Sequence, residues 1–192
     1  MSQQPNHSTI KHFNIILRAV EPNDVDLLYK WENDMKLWQV SNTLVPFSKY
    51  QLMQFVKSAT LDIYHTRQLR LMIDVEDVDS VQTAGMIDLF DFDPFHNRGG
   101  IGIMIHEKWR NKRIASEALR LFIDYASENI GIHNFYCNIL TTNETSIRLF
   151  TGLGFELAGR KKEWLKINGK YEDELMYQLI IYSDKGNSAS SL

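Results

Sequence analysis

Ile103-Met104-Ile105-His106-Glu107-Lys108-Trp109-Arg110-Asn111-Lys112-Arg113-Ile114-Ala115-Ser116-Glu117-Ala118-Leu119 is the stretch that decides how this chain is read. Ile101, Ile103 and Ile105 alternate with Gly102 and Met104, which is the period of a strand. A polar, basic turn follows. From near Arg110 the spacing becomes helical, with Ile114, Ala118, Leu121, Phe122 and Tyr125 on the buried face and Gly131 as the stop. A helix start carries unbonded N–H groups and a partial positive charge. Arg110, Lys112 and Arg113 crowd that end, where the dipole favours acids. An anion docked between them resolves the conflict, and a pyrophosphate is the natural candidate. Ala115 and Ser116 are small enough to let it reach the backbone. A solvated basic turn with no ligand fits the same residues.

Upstream, Gly99, Gly100 and Gly102 enter the strand. Glycines there mark a bulge or a close backbone approach. Downstream, Phe135 to Thr141 is the next strand and runs parallel to the first, because a helix connects them. A bulge at the glycines would splay the two strands and open a notch toward the basic helix start. A flexible hairpin entry is the plainer reading of the same glycines.

Further outward, Ile15 to Val20 predicts a first strand, and Glu21-Pro22-Asn23-Asp24 a helix start. Val25, Leu28, Trp31 and Met35 mark that helix, and a second opens at Ser48 with Leu52, Phe55 and Val56. Gln68 to Val75 and Val81 to Phe90 read as strands around the acidic turn at 76–80, and Asp91 to Gly100 is turn-rich. Asn143 caps a short helix that ends at Gly154. Two last strands flank Asn168-Gly169, which suits a type I′ hairpin turn. The predicted order is β-α-α-β-β-β-α-β-α-β-β. This is an α/β (α+β) fold with a mixed, mostly antiparallel sheet and one central βαβ unit.

The 192 residues, 44% hydrophobic and 23% charged, suffice for one domain with a substantial core. Residues 1–14 read as a disordered arm, 15–182 as a single domain and 183–192 as a frayed tail. With 21 basic against 24 acidic residues, nucleic acid is not the expected partner. No apolar run approaches the roughly 20 residues needed to span a bilayer, so no membrane partner is expected and the chain reads as cytoplasmic. The single cysteine, Cys137, excludes an intrachain disulfide and a cysteine-based zinc site, and no metal is expected.

Two motifs, in order, give the chain a family resemblance. Arg110-Asn111-Lys112-Arg113-Ile114-Ala115 stands where the GNAT superfamily of acyl-CoA-dependent N-acetyltransferases has its pyrophosphate loop, (Arg/Gln)-x-x-Gly-x-(Gly/Ala). Arg113 replaces that family's glycine. Asn143-Glu144-Thr145-Ser146-Ile147-Arg148-Leu149-Phe150-Thr151-Gly152-Leu153-Gly154-Phe155 resembles its later motif, Asn-x-x-(Ala/Ser)-x-x-(Leu/Phe/Tyr)-(Tyr/Phe)-x-x-Leu-Gly-Phe. The resemblance covers roughly Ile15 to Tyr182. It is nearest the branch of spermidine acetyltransferases and ribosomal-protein N-terminal acetyltransferases. Trp31 to Asp34, Phe155 to Gly159 and Ile167 to Asp173 carry that finer likeness.

The resemblance implies acetyl-CoA as cosubstrate and a small-molecule amine or a protein N-terminus as acceptor, with a polyamine such as spermidine preferred and an aminoglycoside-like amine or a protein N-terminus as the alternatives. It implies a pantetheine paired with Ile103, Met104 and Ile105, and a pyrophosphate on the amides from Asn111 through Lys112, Arg113, Ile114 and Ala115 to Ser116, beside Arg110. Asn143 and Phe150 would border the thiol end. Many members use a tyrosine where this chain has Phe150, which cannot donate a proton. Some use a glutamate where it has Gly100. Asp88, Asp91, Asp93 and His96 lie just upstream and are open to either acid–base work or a capping role. Asp91 and Asp93, spaced to share one side of an extended segment, are the candidates for ordering a cationic amine. Tyr136 reads as a half-buried packing residue. Relatives often pair, so a homodimer is a further expectation. Two rival readings stand beside the enzyme: an acyl-CoA sensor without chemistry, and a partner-binding domain without a cofactor.

Overall fold

The computed structural model describes residues 13–41, 43–58, 62–77 and 80–182. The expected arm, but for Phe13 and Asn14, and the expected tail lie outside the described residues. Asn14 is the first residue of strand β1 (Asn14–Ala19), so that strand begins inside the expected arm. Among the described residues, four α-helices precede the second strand where two helices were expected. They are α1 (Val25–Glu32), α2 (Met35–Ser41), α3 (Lys49–Ser58) and α4 (Ile63–Thr66). The extra two are short pieces with weak periodicity. One is fixed by its own cap: Asp62 accepts from the Tyr64 N–H at 2.8 Å.

Strands β2 (Leu69–Asp77), β3 (Ser80–Asp93) and β4 (Arg98–Ile105) form a meander. Helix α5 (Ile114–Tyr125) then crosses to β5 (Asn134–Leu140), and α6 (Glu144–Thr151) leads to the hairpin of β6 (Glu156–Ile167) and β7 (Lys170–Ile180). The sheet order is β1-β2-β3-β4-β5-β7-β6, antiparallel throughout except for the β4–β5 pair. The mixed, mostly antiparallel sheet with a βαβ core is as expected. Asn168 and Gly169 both have positive φ (50° and 83°), the type I′ geometry.

Alternation along the strands sends side chains to two faces. One face carries Ile73, Ile87, Leu89, Ile101 and Phe135 against Ile114, Ala118, Leu119, Phe122 and Ile123 of α5. Leu121 and Tyr125, expected in that stripe, are exposed, because the stripe is set by Leu119 and Ile123 instead. Helix α5 also begins at Ile114 rather than near Arg110, since the backbone of Asn111 and Arg113 is left-handed. After Tyr125 the chain makes one π-helical turn, and Gly131 (φ 80°) stops it, as expected. The opposite face carries Met72 and Met86 under Leu28 and Trp31 of α1 and Leu52 and Val56 of α3.

Candidate active site

Strands β4 and β5 share only three rungs, Arg98–Asn134, Gly99–Phe135 and Gly100–Tyr136. Beyond Gly100 they part, so Ile101 to Ile105 present a backbone edge without a strand partner on that side. The expected split is therefore present, but its bulge is not in the glycine strand. Register slips between Phe90 and Asp93, where Asp91 and Phe92 of β3 face the single Gly99 of β4. Asp91 takes φ 49°, in the left-handed region. The glycines serve another purpose. A Cβ on Gly100 would lie 2.2 Å from the Phe90 ring, and one on Gly99 would lie 2.7 Å from Leu89 Cδ1. Their bareness lets side chains of β3 lie flat across β4.

The split opens toward the start of α5. Trp109 is buried, and Lys108 and Lys112 stack on its ring at 5.2 and 4.6 Å. Arg110 donates from Nε to the Ile105 carbonyl at 3.0 Å, which ties the basic turn to the end of β4. Arg113 stands at φ 62°, the conformation that glycine adopts freely, and carries an exposed side chain. The Glu117 N–H bonds the Arg113 carbonyl, which leaves the amides of Ile114, Ala115 and Ser116 as the unbonded donors of the first turn. Ser116 Oγ donates back to the Arg113 carbonyl at 2.8 Å. These amides, together with Arg110, Lys112 and Arg113, fit a pyrophosphate. Ile103, Met104 and Ile105 lie on the unpaired edge, and only Ile114 of the set is fully buried.

Asn143 caps α6, accepting from the Ser146 N–H at 3.2 Å. Phe150 is buried and meets Phe155 edge to face at 5.0 Å, in the core under α5. No proton donor stands at that position.

On the α1/α3 face, a depression of roughly 190 Å³ lies between Phe55, Arg70, Asp88 and Phe90. Arg70 forms its floor. It donates to Asp88 Oδ1 at 2.6 Å and Oδ2 at 3.1 Å, and to Glu32 of α1. Burial would lower the Arg70 pKa, but the two carboxylates more than reverse that and hold it above its ordinary value. Asp88 pairs across the strand with Gly102, and the Phe90 ring lies over that glycine, 3.7 Å from where its Cβ would stand. The same ring meets the Tyr136 ring at 5.7 Å and 83°. Tyr136 Oη donates to Asp91 Oδ2 at 3.1 Å.

The structure joins Asp91 to Tyr136, holds Asp88 on Arg70 and separates Asp93 from both. The Asp93 carboxylate accepts from the amides of Phe95 and His96, both at 3.1 Å, and from Arg98 at 3.3 Å. The His96 amide is the main reason its pKa falls below the usual carboxylate value. The bulge breaks the alternation on which a shared side for Asp91 and Asp93 depended. Sequence reasoning passed over Arg70 and Glu32. Asp88 lies 18 residues and Glu32 38 residues from Arg70 along the chain, and no local pattern connects them.

Trp31 is buried and Trp38 and Phe47 are half-buried. The Trp38 indole donates to the Glu32 carbonyl at 2.8 Å, so these aromatics pack around the groove rather than line an open cleft. Among the described residues no group of three or more His, Cys, Asp or Glu could hold a metal, and no helix is long and apolar enough to cross a membrane.

A family model described as the acetyltransferase (GNAT) domain matches residues 14–156, from the first residue of β1 to the first of β6. The spermidine N(1)-acetyltransferase of Escherichia coli (strain K12) is 23% identical over 168 residues, covering 84% of this chain and 83% of that protein. The [ribosomal protein uS5]-alanine N-acetyltransferase of the same organism is 34% identical over 79 residues, 41% of each chain. A spermidine N-acetyltransferase from Vibrio cholerae, solved in complex with CoA and spermine, superposes with a TM-score of 0.77 at 20% identity, covering 86% of this chain and 95% of that one. With a split parallel pair, a basic helix start beside it and a family match across nearly every element, the chain belongs to the GNAT acetyltransferase family.

Proposed function

We propose that the protein moves the acetyl group of acetyl-CoA to a cationic primary amine, with a polyamine such as spermidine as the first acceptor to test. The observation that carries this reading is the parting of β4 and β5 beside the basic start of α5, with the Asp91–Tyr136 pair at its vertex. The unbonded amides and cations at the start of α5 suit the pyrophosphate, and the unpaired edge of β4 suits the amide-rich pantetheine. Asp91 attracts an ammonium, and Phe90 and Tyr136 give it aromatic neighbours, while Asp88 and the Phe55 ring are engaged by the Arg70 guanidinium. The curated spermidine acetyltransferase relatives, matched over most of both chains, support the polyamine. The shorter match to the alanine N-acetyltransferase keeps a protein N-terminus as the second acceptor.

The thioester supplies an activated acetyl group. The acceptor ammonium first gives one proton to solvent or a nearby carboxylate; its freed nitrogen lone pair then attacks the carbonyl carbon, the C–S bond breaks with the electron pair leaving on sulfur, and the nitrogen gives up a second proton to solvent as the amide forms. Backbone N–H groups on the edge of β4 stabilise the oxyanion. Phe150 donates nothing, so the thiolate takes its proton from water. Asp91 is the carboxylate we place beside the acceptor, and Asp93 supports the hairpin that carries it.

A cytoplasmic location and self-association belong to the same proposal. The Vibrio cholerae relative has been solved as a dodecamer, and light scattering on the purified protein checks this chain. The function is tested by incubating acetyl-CoA with spermidine, spermine and an alanine-ended peptide and following CoA release. Turnover with the polyamines and little with the peptide is the expected outcome. No release with any of them, while acetyl-CoA still binds, would replace the enzyme by an acyl-CoA sensor.

A further inference from the structure

We propose that Tyr136 is an acceptor-contacting residue and Asp91 its positioning residue: the phenol oxygen, its proton held by Asp91, receives an N–H of the incoming ammonium at the mouth of the split. This deepens the proposed function and rests on it.

The argument starts from register. Tyr136 is the last residue of β5 still paired with β4, so it stands at the vertex where the two strands part. Its ring and that of Phe90 come from the two strands flanking β4, and they meet because Gly100 between them has no side chain. The Tyr136 hydroxyl reaches Asp91 on β3, 45 residues away in sequence. Asp91 holds its place in a left-handed conformation, which an aspartate adopts at some cost. With its single proton donated to Asp91, the phenol can act toward a ligand only as an acceptor. An ammonium has three N–H donors and no acceptor, and so matches it. Burial and then the Asp91 charge push the Tyr136 pKa up to about 12, with Arg98 opposing, so the phenol stays neutral at working pH. The arrangement also separates this tyrosine from the family's thiolate-protonating position, because its proton points toward β3 and Phe150 lies in the core on the other face.

The test uses the full chain, spermidine and CoA. Tyr136→Phe removes the oxygen and keeps the ring against Phe90. Asp91→Asn keeps the shape and removes the charge. For Tyr136→Phe, the KM for spermidine should rise at least 10-fold. Calorimetric spermidine affinity for the CoA-saturated protein should fall by a like factor. Acetyl-CoA affinity should stay within error of wild type, and the melting temperature should fall by no more than the few degrees that one lost hydrogen bond accounts for. Asp91→Asn should raise the spermidine KM in the same sense and shift the ultraviolet titration of the phenol toward lower pH. An unchanged spermidine KM in either variant overturns the proposal, as does a parallel loss of acetyl-CoA affinity. If Tyr136→Phe does not fold, Asp91→Asn decides alone. A wild type that neither binds nor acetylates spermidine overturns the proposed function and this inference together. A wild type that acetylates it, with variants that do so equally well, overturns this inference only.

Discussion

Phe90 and Tyr136 meet edge to face across the bare backbone of Gly100, and this contact joins the two halves of the sheet where β4 and β5 begin to part. To one side of it α1 and α3 cover the sheet. Asn138, on β5 beyond the vertex, is exposed. The groove is the seam between them. Its charges are paired, Arg70 of β2 with Asp88 of β3 and Glu32 of α1, and the Phe90 ring that walls it lies flat because Gly100 is bare.

That contact makes Gly100→Ala a sharp probe. The added Cβ would sit 2.2 Å from Phe90 Cε2, too close for the ring to remain. The ring must swing into the groove or lift the strand. Overpacking of this kind costs about 1–3 kcal/mol. A fall in melting temperature of several degrees, with a larger fall in kcat/KM for the amine than in acetyl-CoA affinity, is the expected result. A variant with wild-type melting and turnover would show that Phe90 does not lie there in solution.

The Tyr136 phenol should titrate late. Its pKa is pushed up to about 12 by burial first and by Asp91 second. The sign follows from linkage. A group whose folded pKa lies above its unfolded value of about 10 gives its full stabilisation below pH 10, and loses it as pH rises toward 12. The difference in ultraviolet absorbance between wild type and Tyr136→Phe, recorded against pH, should show one phenol ionising near pH 12. An ionisation near pH 10 would mean that the bond to Asp91 does not persist.

Arg70 is the costliest side chain in the groove to lose. Its guanidinium is mostly buried between Glu32 and Asp88, which are themselves partly buried. Arg70→Met leaves two carboxylates facing one another without a cation. Breaking a buried pair from one side costs about 3–5 kcal/mol. Chemical denaturation should register that loss, and adding Glu32→Gln with Asp88→Asn should recover a large part of it. If the triple variant is no more stable than the single one, the ion network is not the cause.

How much of this was legible in the sequence depends on range. The split and the α6 cap are short-range matters of alternation and capping, and Asn143 and Gly154 acted as their residue types predict, whereas the α5 start was read too early, at Arg110 rather than Ile114, because nothing in the residue types signals a left-handed Arg113. Helices α2 and α4 were not legible, because pieces of seven and four residues carry too few turns for a period. Leu121 and Tyr125 were misplaced for a related reason: they stand two residues, about 200° of helix, from Leu119 and Ile123 at the other margin of the arc centred on Ala118 and Phe122, and only the packed sheet decides which margin is covered. The site divides in the same way. Arg110 and Lys112 were marked by a conflict with the helix dipole. Arg70–Asp88 and Tyr136–Asp91 are made by register across strands, and register is a tertiary fact.

Arg113 offers a test of backbone strain. It stands in the left-handed region at φ 62°, which costs a non-glycine residue about 1–2 kcal/mol. Arg113→Gly relieves this strain but frees the unfolded chain, which returns about 0.5–1 kcal/mol. The balance is a small gain in stability, read as a rise of a degree or two in melting temperature. A fall would show that the Arg113 side chain contributes contacts worth more than the strain.

The cations at the start of α5 make the last prediction, and they should not act alike. Arg110 is anchored through Nε to the Ile105 carbonyl, so its two Nη groups are held at the end of the open β4 edge. Lys112 lies over Trp109 and carries a mobile charge. An oriented charge-assisted hydrogen bond contributes about 1.5–3 kcal/mol, and a solvated point charge contributes less. Arg110→Glu should therefore weaken acetyl-CoA binding by 10-fold or more, and Lys112→Glu by a smaller factor. Raising the salt concentration should weaken wild-type binding and narrow the gap between wild type and Lys112→Glu, since exposed charges are screened within about 10 Å at 0.1 M. Isothermal titration at two ionic strengths measures both effects. Affinity indifferent to both reversals would place the cofactor's phosphates elsewhere and detach the basic turn from the split.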